Sequence, residues 1–514
     1  LANKSALHAQ ARIHQPRLEA KPQKLRVEER PAMRNKYTNL WIWLFLIPLS
    51  LDYKAAEDAG SHVIQVLMTL PVIGAGVVLW LIAPSFTRRS RFRSIITAAT
   101  IMTVVGSIVA QLLQGNDFGN YLRTLLPFGL FLLGYLAACR PWEGDRLAAF
   151  EKAIFWSMVI SLVFSFVYGM VTSGGPLDDV RYRIVSVTFL GLQGVILHQF
   201  VVAKRITKFT LAIFLGTILI ELLSVTRSLL VGTVVLFLFA TWLSAPSPRH
   251  LVRAGMRAIM TGVLIGVMTA GAAMFFPEVA DHWTQRIFAS KETTSGRDPT
   301  TITRLAEMKD QYDQVTSTPS ALIAGRGYGA VYHYSPDYLP YLAGQFSKKD
   351  FYAIREFAAG HNFWVYQLFA GGLMFGLWMP LAILFALAMG GFAYRVWRRR
   401  APDLLYLPVM GRSLLLLAAL PATSIGGNPL GPRYSGLVFG VALGLLVATY
   451  TRLSYAMKVR NAELAAARGM PKKRRPGTPA PAPAGTPVSM PMHPTGHVSA
   501  LEENRDALSR FTSA

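Results

Sequence analysis

Apolar stretches separated by short polar or basic turns fall at about residues 37–52, 62–83, 95–113, 121–139, 153–172, 182–203, 209–224, 228–244, 258–276, 362–393, 404–425 and 434–452. Most approach the ~20 residues that a helix needs to cross a bilayer core. Backbone polar groups in lipid must be satisfied within their own segment, so each run reads as a helix and not a strand. The pattern predicts an all-α polytopic membrane protein of about twelve transmembrane helices, the first and seventh being short.

Only 16% of the 514 residues are charged and 52% are hydrophobic, whereas soluble domains carry about 25% charge. An ordinary soluble enzyme, a disordered chain and a compact nucleic-acid module are excluded on these grounds. The net charge of +24 is distributed unevenly. One set of alternate loops holds 17 Lys or Arg, at 88–93, 140–152, 204–208, 249–257 and 395–400, against five in the opposite set. The positive-inside rule makes the first set cytoplasmic, and an even number of spans places both termini there too. The single cysteine, Cys139, lies in an apolar run. It excludes a disulfide framework and a Cys-based zinc site, and reads as a small buried hydrophobe.

Three segments lie outside the apolar runs. Residues 1–36 hold nine Lys or Arg and three Glu, with no signal-peptide core, and Met33 reads as the natural start with upstream read-through before it. The tail at 453–514 contains KKRRPGTPAPAPAGTP, which predicts a disordered, solvated cytoplasmic tail touching anionic lipid rather than nucleic acid. Residues 277–361 form the longest loop, on the outer face, with nine basic and ten acidic residues. A loop of that length is usually functional. Within it Ile302, Leu305, Met308, Tyr312 and Val315 recur at helical spacing, with Arg304, Glu307, Lys309 and Asp310 between them. This predicts an amphipathic helix whose start is marked by Asp298 and Pro299.

The outer face offers arginines and one histidine at membrane level. Arg227 stands in the short turn SVTRSLL, Arg181 and Arg183 end a span, Arg304 projects from the loop helix, and His361 closes the loop. Glu221, about two turns before Arg227, reads as an arginine partner or an alternative base. Arg412, inside a span, reads as a snorkelling or lipid-binding residue. GRGYG at 325–329 lacks the Lys-Ser/Thr of a phosphate loop and reads as a glycine-rich turn. Asp178 and Asp179 are a weak metal signal, and no metal or other cofactor is expected.

GHNFWVYQLFAGGLMFG at 360–376, TRSLL at 226–230, and the order Arg304, amphipathic helix, Pro319, Gly325, Gly327, Gly329 together resemble the bacterial O-antigen ligase and polysaccharide polymerase superfamily over roughly residues 180–390. Met308 replaces a Trp common in that family, Gly376 stands one position late, and Arg297 rivals Arg304 for the loop arginine. The resemblance implies a metal-independent, inverting membrane glycosyltransferase of the inner membrane. Its donor would be an undecaprenyl-diphosphate-linked glycan and its acceptor a glycan or lipid A-core, reached on the periplasmic side among membrane lipids. Arg227 and Arg304 would bind the diphosphate, His361 would activate the acceptor hydroxyl, and Arg181, Arg183 and Arg433 would add positive potential. Ligase and polymerase remain open, and a transporter or flippase for lipid-linked oligosaccharide is the alternative class.

Overall fold

The computed structural model describes residues 37–51, 59–173, 186–223, 227–245, 249–250, 252–253, 255–256, 299–342, 347–424 and 426–467. The predicted ninth span at 258–276, Arg181, Arg183, Arg297, Asp298, the basic segment 1–36 and the tail beyond 467 lie outside them. The chain divides into two compact units, residues 1–459 and 460–514. The second is described only at 460–467, which are helical.

Every regular element among the described residues is helical, apart from one isolated antiparallel bridge between Tyr332 and Glu356. The first group comprises α1 (Thr38–Leu46), α2 (Ala59–Ile82), α3 (Arg91–Gln114), α4 (Phe118–Ala138), α5 (Gly144–Ser173), α6 (Ser186–Leu197), α7 (Lys208–Leu223) and α8 (Arg227–Ser244). The loop follows with α9 (Pro299–Thr316), α10 (Pro319–Ala324) and α11 (Lys348–Ala353). The chain then returns through α12 (Phe363–Gly371), α13 (Trp378–Arg400), α14 (Leu407–Thr423) and α15 (Ser435–Ala467). By length and composition α3, α4, α5, α13 and α15 can cross a membrane, and six further apolar helical segments are shorter. Eleven of the twelve apolar runs coincide with helices. The run at 362–393 is not continuous: a π turn at Gly372–Gly376 separates α12 from α13.

Polarity is arranged inside out relative to a water-soluble domain. Leu81, Leu112, Val163, Leu215 and Phe392 point outward and are exposed, while Ser157, Ser161 and Ser165 of α5, Thr188 and Gln193 of α6 and Glu221 of α7 are buried. Apolar outer faces suit lipid, and small or polar inner faces let helices approach and bond. Along α15, Gly436, Gly440 and Gly444 lie against the α4 backbone at Pro127, Phe131 and Tyr135. Gly134 of α4 returns the contact, an added Cβ there standing 2.9 Å from the Leu437 carbonyl oxygen. Arg412, expected to snorkel, instead makes a bidentate ion pair with Glu151 of α5, at 2.7 and 2.8 Å. The pairing is hidden from the sequence because the partner lies 261 positions away.

The basic segments converge on one end of the bundle. Arg88 lies over the Tyr455 ring, Phe92 and Trp397 both pack on Tyr450, and Arg398 donates to the Val202 carbonyl at 2.7 Å. The loop occupies the other end. Gln114, at the end of α3, donates to the Gly325 carbonyl at 3.0 Å, Asn116 to that of Arg326 at 2.8 Å, and Thr124 to that of Phe357 at 3.2 Å. Since α3 begins at Arg91 among the basic segments, its 24 residues hold the two ends ~36 Å apart at 1.5 Å per residue.

Candidate active site

The loop is anchored before any reactive group is placed. Gly325, Gly327 and Gly329 all have φ between +77° and +86°, a region open chiefly to glycine. This conformation lets the GRGYG segment run flat against its neighbours. The Arg326 and Gly327 amides donate to the Phe369 and Ala370 carbonyls of α12 at 2.7 and 3.0 Å. The Arg326 guanidinium donates to the Gln314 carbonyl and the Ser317 hydroxyl, closing the end of α9. GRGYG is therefore the splice between α9, α3 and α12, as its reading as a turn requires.

Helix α9 then presents a face that differs from the one its apolar spacing predicts. Ile302, Ala306, Glu307, Gln311 and Val315 are buried, whereas Tyr312 is 52% exposed. Glu307 and Gln311 turn inward because the chain entering α12 crosses this face. Gly360 makes the crossing possible: a Cβ there would stand 2.7 Å from Glu307 Oε1 and clash with Gln311. The next residue is His361. Its backbone N–H donates to Glu307 Oε1 at 2.6 Å, and its ring Nδ1 lies 2.6 Å from Glu307 Oε2. Gln311 Nε2 adds a bond to Oε1 at 3.3 Å. Asn362 then caps α12, its side-chain oxygen accepting from the Trp364 and Val365 amides at 3.0 Å each.

An ionised carboxylate only accepts hydrogen bonds, so this contact places the proton on His361 Nδ1. In a neutral ring the lone pair is then on Nε2. The carboxylate side is nearly sealed, with 2% of the Glu307 side chain exposed, while 49% of the His361 side chain is open. Arg304 Nη1 stands 3.9 Å from Glu307 Oε2, which brings a guanidinium beside the pair. Burial and then the Glu307 charge push the Tyr332 phenol well up, and the same two causes, in the same order, raise Tyr334. Both phenols therefore stay protonated. A second described histidine of the loop is tied differently: the His333 amide donates to Asp310 Oδ2 and its Nδ1 meets the Ile354 carbonyl, each at 2.8 Å.

Of the residues expected to act together, His361 and Arg304 are joined through Glu307. Arg227 opens α8, and its side chain lies outside the described residues. The following residue, Ser228, packs against Gly426. Trp364, three residues after His361, donates to Ser424 Oγ at 3.3 Å. The turn from Ser424 to Arg433 thus adjoins both the start of α8 and the start of α12, so Arg227 and Arg433 belong to elements next to the histidine. Glu221 does not join this group by any contact described. Its carboxylate accepts from Gln193 at 2.8 Å and from Thr233 at 3.3 Å, in a cluster between α6, α7 and α8. Among the described residues no group of three or more His, Cys, Asp or Glu is placed to hold a metal.

Glu307 is the residue that sequence reasoning missed as a functional group. Its signal was present in the spacing RLAE, one turn after Arg304, on the face that α9 turns inward. No family model matches this chain, and no curated protein matches it significantly.

Proposed function

We propose that this chain is a glycosyltransferase of the bacterial inner membrane, of O-antigen ligase or polysaccharide polymerase type. It transfers a glycan from undecaprenyl diphosphate to an acceptor sugar hydroxyl. The observation that carries the reading is the His361–Glu307 pair beside Arg304, at the end of the bundle opposite the basic segments. With those segments cytoplasmic and the run at 258–276 completing twelve spans, both termini are cytoplasmic and the pair faces the periplasm.

The acceptor hydroxyl donates its proton to His361 Nε2 as its oxygen attacks the anomeric carbon. The bond from that carbon to the diphosphate oxygen breaks, and undecaprenyl diphosphate leaves with the electron pair. One displacement inverts the anomeric centre. Charge builds on two partners. The imidazolium is met by the Glu307 carboxylate, and the departing diphosphate by arginines, Arg304 and Arg227 first, with Arg433, Arg181 and Arg183 behind them. A diphosphate is a good enough leaving group to need no protein acid.

The test is transfer itself: purified protein in vesicles with an undecaprenyl-diphosphate glycan, offered free glycan or lipid A-core. Product on glycan identifies a polymerase and product on lipid A-core a ligase. Absence of product with every acceptor, in vesicles where the protein is folded, defeats the proposal. In the same assay Glu307→Gln lowers kcat by about 10²-fold or more, because an amide can donate to Nδ1 and favour the wrong tautomer. KM for the lipid donor stays unchanged, as befits a positioning residue. A matched rise in KM would instead assign Glu307 to donor binding.

A further inference from the structure

At the basic end a cavity of about 210 Å³ opens between α3 and α4, lined by Ser85, Phe86, Arg93, Thr97, Tyr135 and Arg140 among others. Its size far exceeds the ~15 Å³ that one water requires. Two guanidiniums face it, Arg93 from α3 and Arg140 from the turn just after α4. Arg93 lies over the Phe86 ring at 4.5 Å and gives one bond to the Arg88 carbonyl at 3.3 Å. Arg140 gives one bond to the Leu136 carbonyl, also at 3.3 Å.

A guanidinium has five N–H donors, so these single bonds leave most of the hydrogen-bonding capacity of both groups directed elsewhere. Among the described residues no carboxylate lies within ion-pair distance of either. The polar floor is already satisfied, with Thr97 bonded to the Arg93 carbonyl at 2.8 Å and to the Tyr135 hydroxyl at 2.6 Å. Burial holds the Arg140 guanidinium below its ordinary range, with Cys139 opposing and the charge of Arg93 adding to it. Two like charges sharing one half-buried cavity repel each other until an anion enters. The contrast with Arg412 is informative: that arginine, also half-buried, is given Glu151 as its partner by the fold.

We infer that the Arg93–Arg140 cavity is a binding site for the phosphate group of an anionic membrane lipid. Bidentate guanidinium–phosphate bonds recognise the oxyanion, and the apolar wall of Phe86 and Leu136 receives the start of the acyl portion. Basic pockets between membrane helices on the cytoplasmic side are suited to such headgroups. The cavity lies at the end of α3 opposite the loop and is independent of the transfer reaction.

The experiment reconstitutes the full chain in vesicles of equal phosphatidylglycerol and phosphatidylcholine and weighs the lipid retained on the released protein by native mass spectrometry. Wild type retains phosphatidylglycerol over phosphatidylcholine, and R93Q/R140Q loses that preference by about tenfold or more, as expected for charge-assisted bonds. Equal preference in the variant overturns the site, provided its melting temperature in phosphatidylcholine alone matches wild type. Where the variant does not fold, the melting temperature of wild type decides: a rise with phosphatidylglycerol above that with phosphatidylcholine supports the site, and no difference overturns it. Inorganic phosphate titrated into phosphatidylcholine vesicles separates the sources. A rise equal to that given by phosphatidylglycerol shows that free phosphate suffices and overturns the lipid assignment.

Discussion

Under the proposed function, His361→Ala lowers the rate of glycan transfer by the ~10²–10⁴-fold that a positioned general base contributes. The variant removes Nε2, the atom proposed to take the acceptor proton, while leaving much of its surroundings intact. Alanine keeps the backbone N–H that donates to Glu307 Oε1, and Gln311 still donates to the same oxygen. The lost Nδ1 bond leaves Glu307 Oε2 with Arg304 at 3.9 Å, so folding weakens by about 1–3 kcal/mol and the melting temperature remains measurable. Retention of the wild-type rate in vesicles would remove the histidine from the mechanism. A strong dependence of the wild-type rate on added divalent metal would contradict leaving-group stabilisation by arginine alone.

Gly440→Leu has the largest expected effect on folding. The added side chain has to enter the space occupied by the Phe131 backbone of α4, and backbone cannot rotate away as a side chain can. Overpacking a tight core costs about 1–3 kcal/mol and more when no rotamer relieves it. The neighbouring contacts of Gly436 and Gly444 oppose any tilt that would make room at one point. Thermal unfolding and size exclusion in detergent measure the outcome: the folded monomer peak disappears or its melting temperature drops sharply. Gly216→Leu on α7, where a Cβ meets nothing within 4 Å, is the matched control and stays folded. Equal behaviour of the two variants would mean that the α4–α15 seam does not hold the bundle together.

Much of the fold was legible because lipid imposes a severe rule on sequence. A helix that satisfies its own backbone is nearly the only option, and its apolar length marks it. The loop helix was legible too, α9 covering Pro299–Thr316 where the spacing predicts a helix. Its inward face was not. Hydrophobic spacing assumes that apolar residues turn inward, which holds for Ile302 and Val315 but fails for Tyr312, while Glu307 and Gln311 are buried. What reverses the rule is the passage of Gly360 and His361 across the helix, a contact over 54 positions that no local pattern contains. The same limit hid the Glu151 partner of Arg412 and the break after Gly371, where Gly372 adopts φ +62°. His361 and Arg304 could be singled out because their motifs are local. The carboxylate that joins them required the fold.

That joining has a consequence for biosynthesis. Glu307 leaves the ribosome 54 residues before His361, which at ~5–20 residues per second is roughly 3–10 s earlier. Until Gly360 and His361 arrive, the carboxylate has no backbone amide or imidazole to receive it, and burying it alone would be strongly unfavourable. The α9 face therefore stays hydrated while the loop is made and closes only when the chain turns back toward α12. Assembly of the reactive pair and completion of the loop are one event, so a nascent chain that has not yet delivered His361 also lacks a finished pocket around Glu307.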